Sequence, residues 1–72
     1  MTAMFCISRQ HDDGTEAVVW FDTDGKVAQS FRDLRDGSGR CTPIPAADEW
    51  QRLYRSIEAE GQRKALNAEQ RR

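Results

Sequence analysis

Cysteine, proline, histidine and tyrosine are scarce in this chain, with two, two, one and one among 72 residues. Two cysteines, Cys6 and Cys41, cannot build the disulfide framework that staples small secreted folds. Neither stands in a C-x-x-C or Cys/His spacing that would hold zinc. Both are expected as free thiols. A lone histidine, His11, beside Asp12 and Asp13, offers too few ligands for a transition metal and reads as part of a solvated loop. Pairing it with either cysteine as a nucleophile would need an orienting group and oxyanion donors that nothing local supplies. No apolar run nears the roughly 20 residues that span a bilayer, and "MTAMFCISRQ" lacks the basic region and long apolar stretch of a signal peptide. The expectation is a soluble cytoplasmic protein that is not an enzyme, with no membrane segment, no metal and no cofactor.

Excess charge is missing too. Eleven basic against twelve acidic residues leave a net charge of −1. Without a global field, nucleic acid is not the expected partner. Nine of the eleven basic residues are arginine. The planar guanidinium suits paired contacts at protein interfaces, although a GC-rich genome produces the same bias. At this length a chain buries only about 60 per cent of its unfolded surface, so one small, marginally stable domain is expected.

The stretch "WFDTDGKVAQSF" resembles part of a calcium loop. With Gly25 at the sixth loop position, Asp22 and Asp24 fall at the third and fifth, but Trp20 and Phe31 take the first and twelfth, and neither binds a hard cation. A phosphate cradle fails as well, since one glycine precedes Lys26-Val27. A turn remains, with Asp22 at its first position and Gly25 free to take positive φ. Asp13-Gly14 in "HDDGTE" is a second turn signal. It separates two runs, "AMFCISRQ" and "AVVWFD", rich in aromatic and β-branched residues.

If both turns are three-residue loops ending in glycine, Phe5 opposes Phe21, Ile7 opposes Val19 and Val27 opposes Phe21. One sheet face then carries Phe5, Ile7, Val19, Phe21, Val27 and Phe31, and the other Met4, Cys6, Val18, Trp20, Ala28 and Ser30. The segment "VAQSFRDLRDG" also fits a short helix, but the turn before it favours a strand. A short fourth strand fits Arg40 to Thr42, where Pro43 and Pro45 forbid a long one. In "AADEWQRLYRSIEAEG", Trp50, Leu53, Tyr54 and Ile57 fall at i, i+3, i+4 and i+7 with acids early and Gly61 as a stop, which predicts an amphipathic helix. The fold class is thus α+β, a three- to four-stranded antiparallel meander with one C-terminal helix packed on one face. Residues 1–61 form the single domain, and 62–72 a charged helical extension or frayed tail.

A single helix covers only one side of a sheet, so Met4, Cys6, Val18 and Trp20 form an exposed apolar binding patch unless the C-terminal tail, or a different register, covers that face and makes Trp20 core. Arg32, Arg35, Arg40, Arg52 and Arg55 form the next candidate surface, interleaved with acids. In size and lack of catalytic motif the chain resembles the short accessory proteins of phages and mobile elements, anti-CRISPR inhibitors among them. That resemblance implies a non-enzymatic inhibitor or adaptor that occludes the functional surface of a protein partner. A homodimer is a further form of assembly to be expected. The alternative is a small dimeric regulator that sets its arginine-rich surface against nucleic acid.

Overall fold

The computed structural model describes residues 4–70, and the backbone alone for residues 68–70. Ala3, which the sequence places in the first strand, and the last two tail residues lie outside the described residues. The elements run β1 (Phe5–Gln10), β2 (Glu16–Phe21), β3 (Val27–Asp33), β4 (Cys41–Thr42) and α1 (Asp48–Gln70). The four strands form one antiparallel sheet in sequential order, with α1 on one side. This is the expected α+β architecture, with the third segment a strand and the fourth reduced to two residues.

Both hairpin turns are built by aspartate and glycine. In the first, the Gly14 N–H donates to the His11 carbonyl (3.0 Å), and the His11 N–H donates to that of Thr15 (2.8 Å). The second repeats the pattern, Gly25 to Asp22 (3.0 Å) and Asp22 to Lys26 (2.9 Å). Asp22 Oδ1 accepts from the N–H groups of Asp24 (2.9 Å) and Lys26 (3.0 Å), so its carboxylate is spent on holding the turn. Gly14 and Gly25 take φ of 89° and 84°, as three-residue loops of this kind require. The resulting register pairs Phe5 with Phe21, Ile7 with Val19 and Phe21 with Val27, as expected.

Beyond Val27 the ladder slips. Phe21 pairs with Val27 but Trp20 with Gln29, leaving Ala28 as an extra residue in β3. Every later side chain in β3 therefore changes face. Phe31, expected under the helix, pairs with Val18 on the opposite side, whereas Ser30 and Arg32 pair with Val19 and Ala17 on the helix side.

The core lies between the helix side of the sheet and α1. It comprises Ile7, Ala17, Val19, Phe21, Trp50 and Ile57, with Phe5, Val27, Ile44, Leu53 and Tyr54 packed around it. Val19, Phe21 and Ile57 have no exposed surface. Full burial contributes about 1.5–3 kcal/mol for each such side chain. Phe5 stacks on Phe21 with ring centroids 5.2 Å apart.

Gly61 does not stop the helix. α1 continues through it to Gln70, and a Cβ at this position would collide with the ring of Phe21. The glycine lets the helix backbone approach that ring. One turn further on, Ala65 is 7% exposed and lies against the second hairpin, where a Cβ added to Gly25 would sit 3.1 Å from its own. Trp50 packs at the other end, against the first hairpin. The interval from Trp50 to Ala65 spans about 22 Å at 1.5 Å per residue, somewhat more than the roughly 17–20 Å of a six-residue strand.

Candidate interaction face

The side of the sheet away from α1 is built by the alternate residues of the strands. Register places Ser8, Val18 and Phe31 in one row and Cys6, Trp20 and Gln29 in the next. Among the described residues no element covers this face. Met4 (48% exposed) and Cys6 are exposed, as expected. Val18 is not, at 9%, because it sits in an interior strand with Ser8 and Phe31 on its flanks. Trp20 and Phe31 are half-buried. Phe31 is the member of this patch that the sequence did not reveal, since only the extra residue at Ala28 brings it here.

Both thiols are free, exposed and on this face, Cys41 by its pairing with Asp33. Burial, and then the nearby charge of Glu16, push the Cys6 thiol above its ordinary value, so Cys6 holds its proton and is a weak nucleophile. His11 lies on the other side of the sheet, stacked on Trp50.

That stack is a second feature hidden from the sequence. The His11 imidazole lies on the Trp50 indole with centroids 4.3 Å apart and planes 10° from parallel, and only 13% of its side chain is exposed. It is a packing residue rather than a solvated one. The Arg32 guanidinium sits 5.1 Å from the same indole, a cation–π contact, and donates to Thr15 Oγ1 (3.2 Å) and Asp13 Oδ2 (3.3 Å). Hydrogen bonds from the hydroxyl and N–H of Thr15, followed by the charges of His11 and Arg32, hold the Asp13 carboxyl below its ordinary value. These groups tie the first hairpin to the start of α1, and Asp13 Oδ1 is further engaged by the Thr15 N–H (2.9 Å).

The five candidate arginines do not converge. Arg32 is on the helix side against Trp50. Arg35 and Arg40 belong to the β3–β4 connection, where they pair with Glu16 (3.5 Å) and Asp36 (3.7 Å). Arg52 and Arg55 are exposed on α1. Arg35 adopts φ of 56°, with its N–H held by Asp33 Oδ1 (3.0 Å).

A shallow groove of about 360 Å³ runs beside the His11 stack, lined by Gln10, Asp12, Glu49, Arg52 and Leu53. Another, of about 320 Å³, lies between β3 and α1 and is lined by Ser30, Pro43, Ile44, Gln51 and Tyr54. Burial and the charge of Glu58 raise the Tyr54 hydroxyl above its ordinary value, so it is a neutral donor at the groove edge. Among the described residues no cluster of three or more His, Cys, Asp or Glu side chains is placed to hold a metal ion, and no helix is long and apolar enough to cross a membrane. Comparisons with protein families, curated proteins and solved structures give no match.

Proposed function

We propose that this protein is a non-enzymatic protein-binding module, an inhibitor or adaptor that covers a partner's functional surface with the uncovered face of its sheet. One observation carries the reading. Trp20, Phe31, Val18, Cys6 and Met4 form a contiguous apolar patch on a rigid sheet, and no described element lies over it. A large aromatic at the centre of such a patch is the usual anchor of a binding site. Small size and lack of catalytic motif fit an anti-defence protein of phages or mobile elements, acting in the cytoplasm of a host.

The nucleic-acid alternative draws on the arginine set, of which Arg32, Arg35 and Arg40 are engaged by acids of their own chain. A face that binds protein through apolar area keeps its affinity as salt rises, whereas phosphate contacts lose it steeply. The test is capture of partners from host lysate by the wild-type protein and by Trp20→Ala, at low and moderate salt. Specific retention by the wild type, lost in Trp20→Ala and insensitive to salt, supports the reading. Equal capture by both proteins, or capture of nucleic acid that salt abolishes, defeats it.

A further inference from the structure

The two edges of the sheet differ. At one, β4 is two residues long and runs into Pro43, which blunts it against pairing. At the other, β1 presents six residues without a proline or a bulge, in unbroken register with β2. No strand among the described residues pairs with its outer side.

The backbone groups left open there follow from the turn. Since the His11 N–H donates to the Thr15 carbonyl, this pair is hydrogen-bonded. The alternation of an antiparallel ladder makes Arg9, Ile7 and Phe5 the residues bonded to β2. The N–H and C=O groups of Cys6, Ser8 and Gln10 therefore point away from the sheet. Inward-directed charge is a common guard of such edges, but the one charge in β1 is neutralised. Arg9 is held from the helix by Glu60 (2.8 Å) and Ser56 (2.9 Å).

We infer that this edge pairs with the same edge of a second copy of the chain, antiparallel about a two-fold axis at Ile7, joining the two sheets into one. β1 fits itself in that register. Phe5 opposes Arg9 of the other copy and Cys6 opposes Ser8, so apolar and polar positions stay on their own faces and no charge meets its like. A two-fold interface is self-complementary by construction, and a net charge of −1 per chain offers little repulsion between copies. This surface is distinct from the Trp20 face. Pairing would place the two Trp20 faces side by side on one side of the joined sheet.

Sedimentation velocity over a wide concentration range, with the full chain, tests it. The wild type should dimerise. Ser8→Pro removes an N–H that β2 does not use, so it should leave the monomer folded and weaken the dimer at least about tenfold. Should that variant fail to fold, two exposed-position pairs carry the test. Cys6→Lys with Ser8→Glu sets opposite charges across the axis and keeps the dimer, while Cys6→Lys with Ser8→Lys sets like charges and abolishes it. A wild type that is monomeric throughout overturns the inference. So does a dimer that survives the two lysines or is lost in Trp20→Ala alone, and that last result would assign self-association to the Trp20 face.

Discussion

Replacing Gly61 by alanine should destabilise the protein, although helix propensity alone forecasts the reverse. In the middle of a helix, alanine is better than glycine by about 1 kcal/mol. The position, however, faces the Phe21 ring, where an added Cβ collides. That ring cannot swing aside, because Phe21 has no exposed surface and is stacked on Phe5 at 5.2 Å. Forcing a methyl into a packed core costs about 1–3 kcal/mol, and a direct clash with an immobilised ring belongs in the upper part of that range. The net loss is about 1–2 kcal/mol, and each kilocalorie corresponds to a fall in Tm of about 4–8 °C for a domain of this size. Thermal unfolding followed by circular dichroism would measure it. Phe21→Leu gives the second arm of a double-mutant cycle: with the ring gone, Gly61→Ala should turn neutral or stabilising. A rise in Tm for the single Gly61→Ala variant would refute the close approach, and with it the placement of α1 on β2.

Further outcomes follow from the same contacts. Ile57→Ala opens a cavity at a site with no exposed surface and should cost about 2–4 kcal/mol by urea denaturation, with Leu53→Ala, only partly buried, costing less. Trp20→Ala should lower stability less than Ile57→Ala, because its half-buried side chain leaves no internal void, and equal losses would mean that the outer face is covered. Asp13 has a folded-state carboxyl pKa below the unfolded one, so its contribution is complete above about pH 4 and is lost as pH falls through the lowered value. NMR titration should find the Asp13 carboxyl titrating below the ordinary aspartate value, with the depression reduced in Thr15→Val. Arg32→Met keeps much of the length of the side chain but not its charge or hydrogen bonds, and should shift Trp50 fluorescence while leaving partner binding at Trp20 intact.

Local chemistry made most of the fold legible. Asp-Gly turns, alternation in β1 and β2, and the spacing of Trp50, Leu53, Tyr54 and Ile57 are short-range signals, and each element they predict is present. The misreadings come from contacts distant in sequence. Nothing around Ala28 announces an extra residue, and alternation continued past it puts Phe31 on the helix side, opposite to where the register places it. Gly61 reads as a terminator in one dimension, and only the arrival of Phe21 from β2 gives it another purpose. His11 reads as solvated in the sequence because Trp50, 39 residues further along the chain, is what covers it. That Met4, Cys6, Val18 and Trp20 share one face is legible from alternation alone, but the burial of Val18 between Ser8 and Phe31 is not. The dispersal of the arginines was not, because their acidic partners come from other segments.

The extra residue in β3 also gives the chain one place where its length can change without penalty to the fold. Deleting Ala28 closes the ladder, with Trp20 still opposite Gln29 and Val18 still opposite Phe31, so both faces keep their composition and only the local bend is lost. A deletion inside β1 or β2 has no such slack and turns the remainder of its strand inside out. In the course of sequence drift, then, gaps in this sheet should be accepted beside Ala28 and rejected elsewhere in its three long strands.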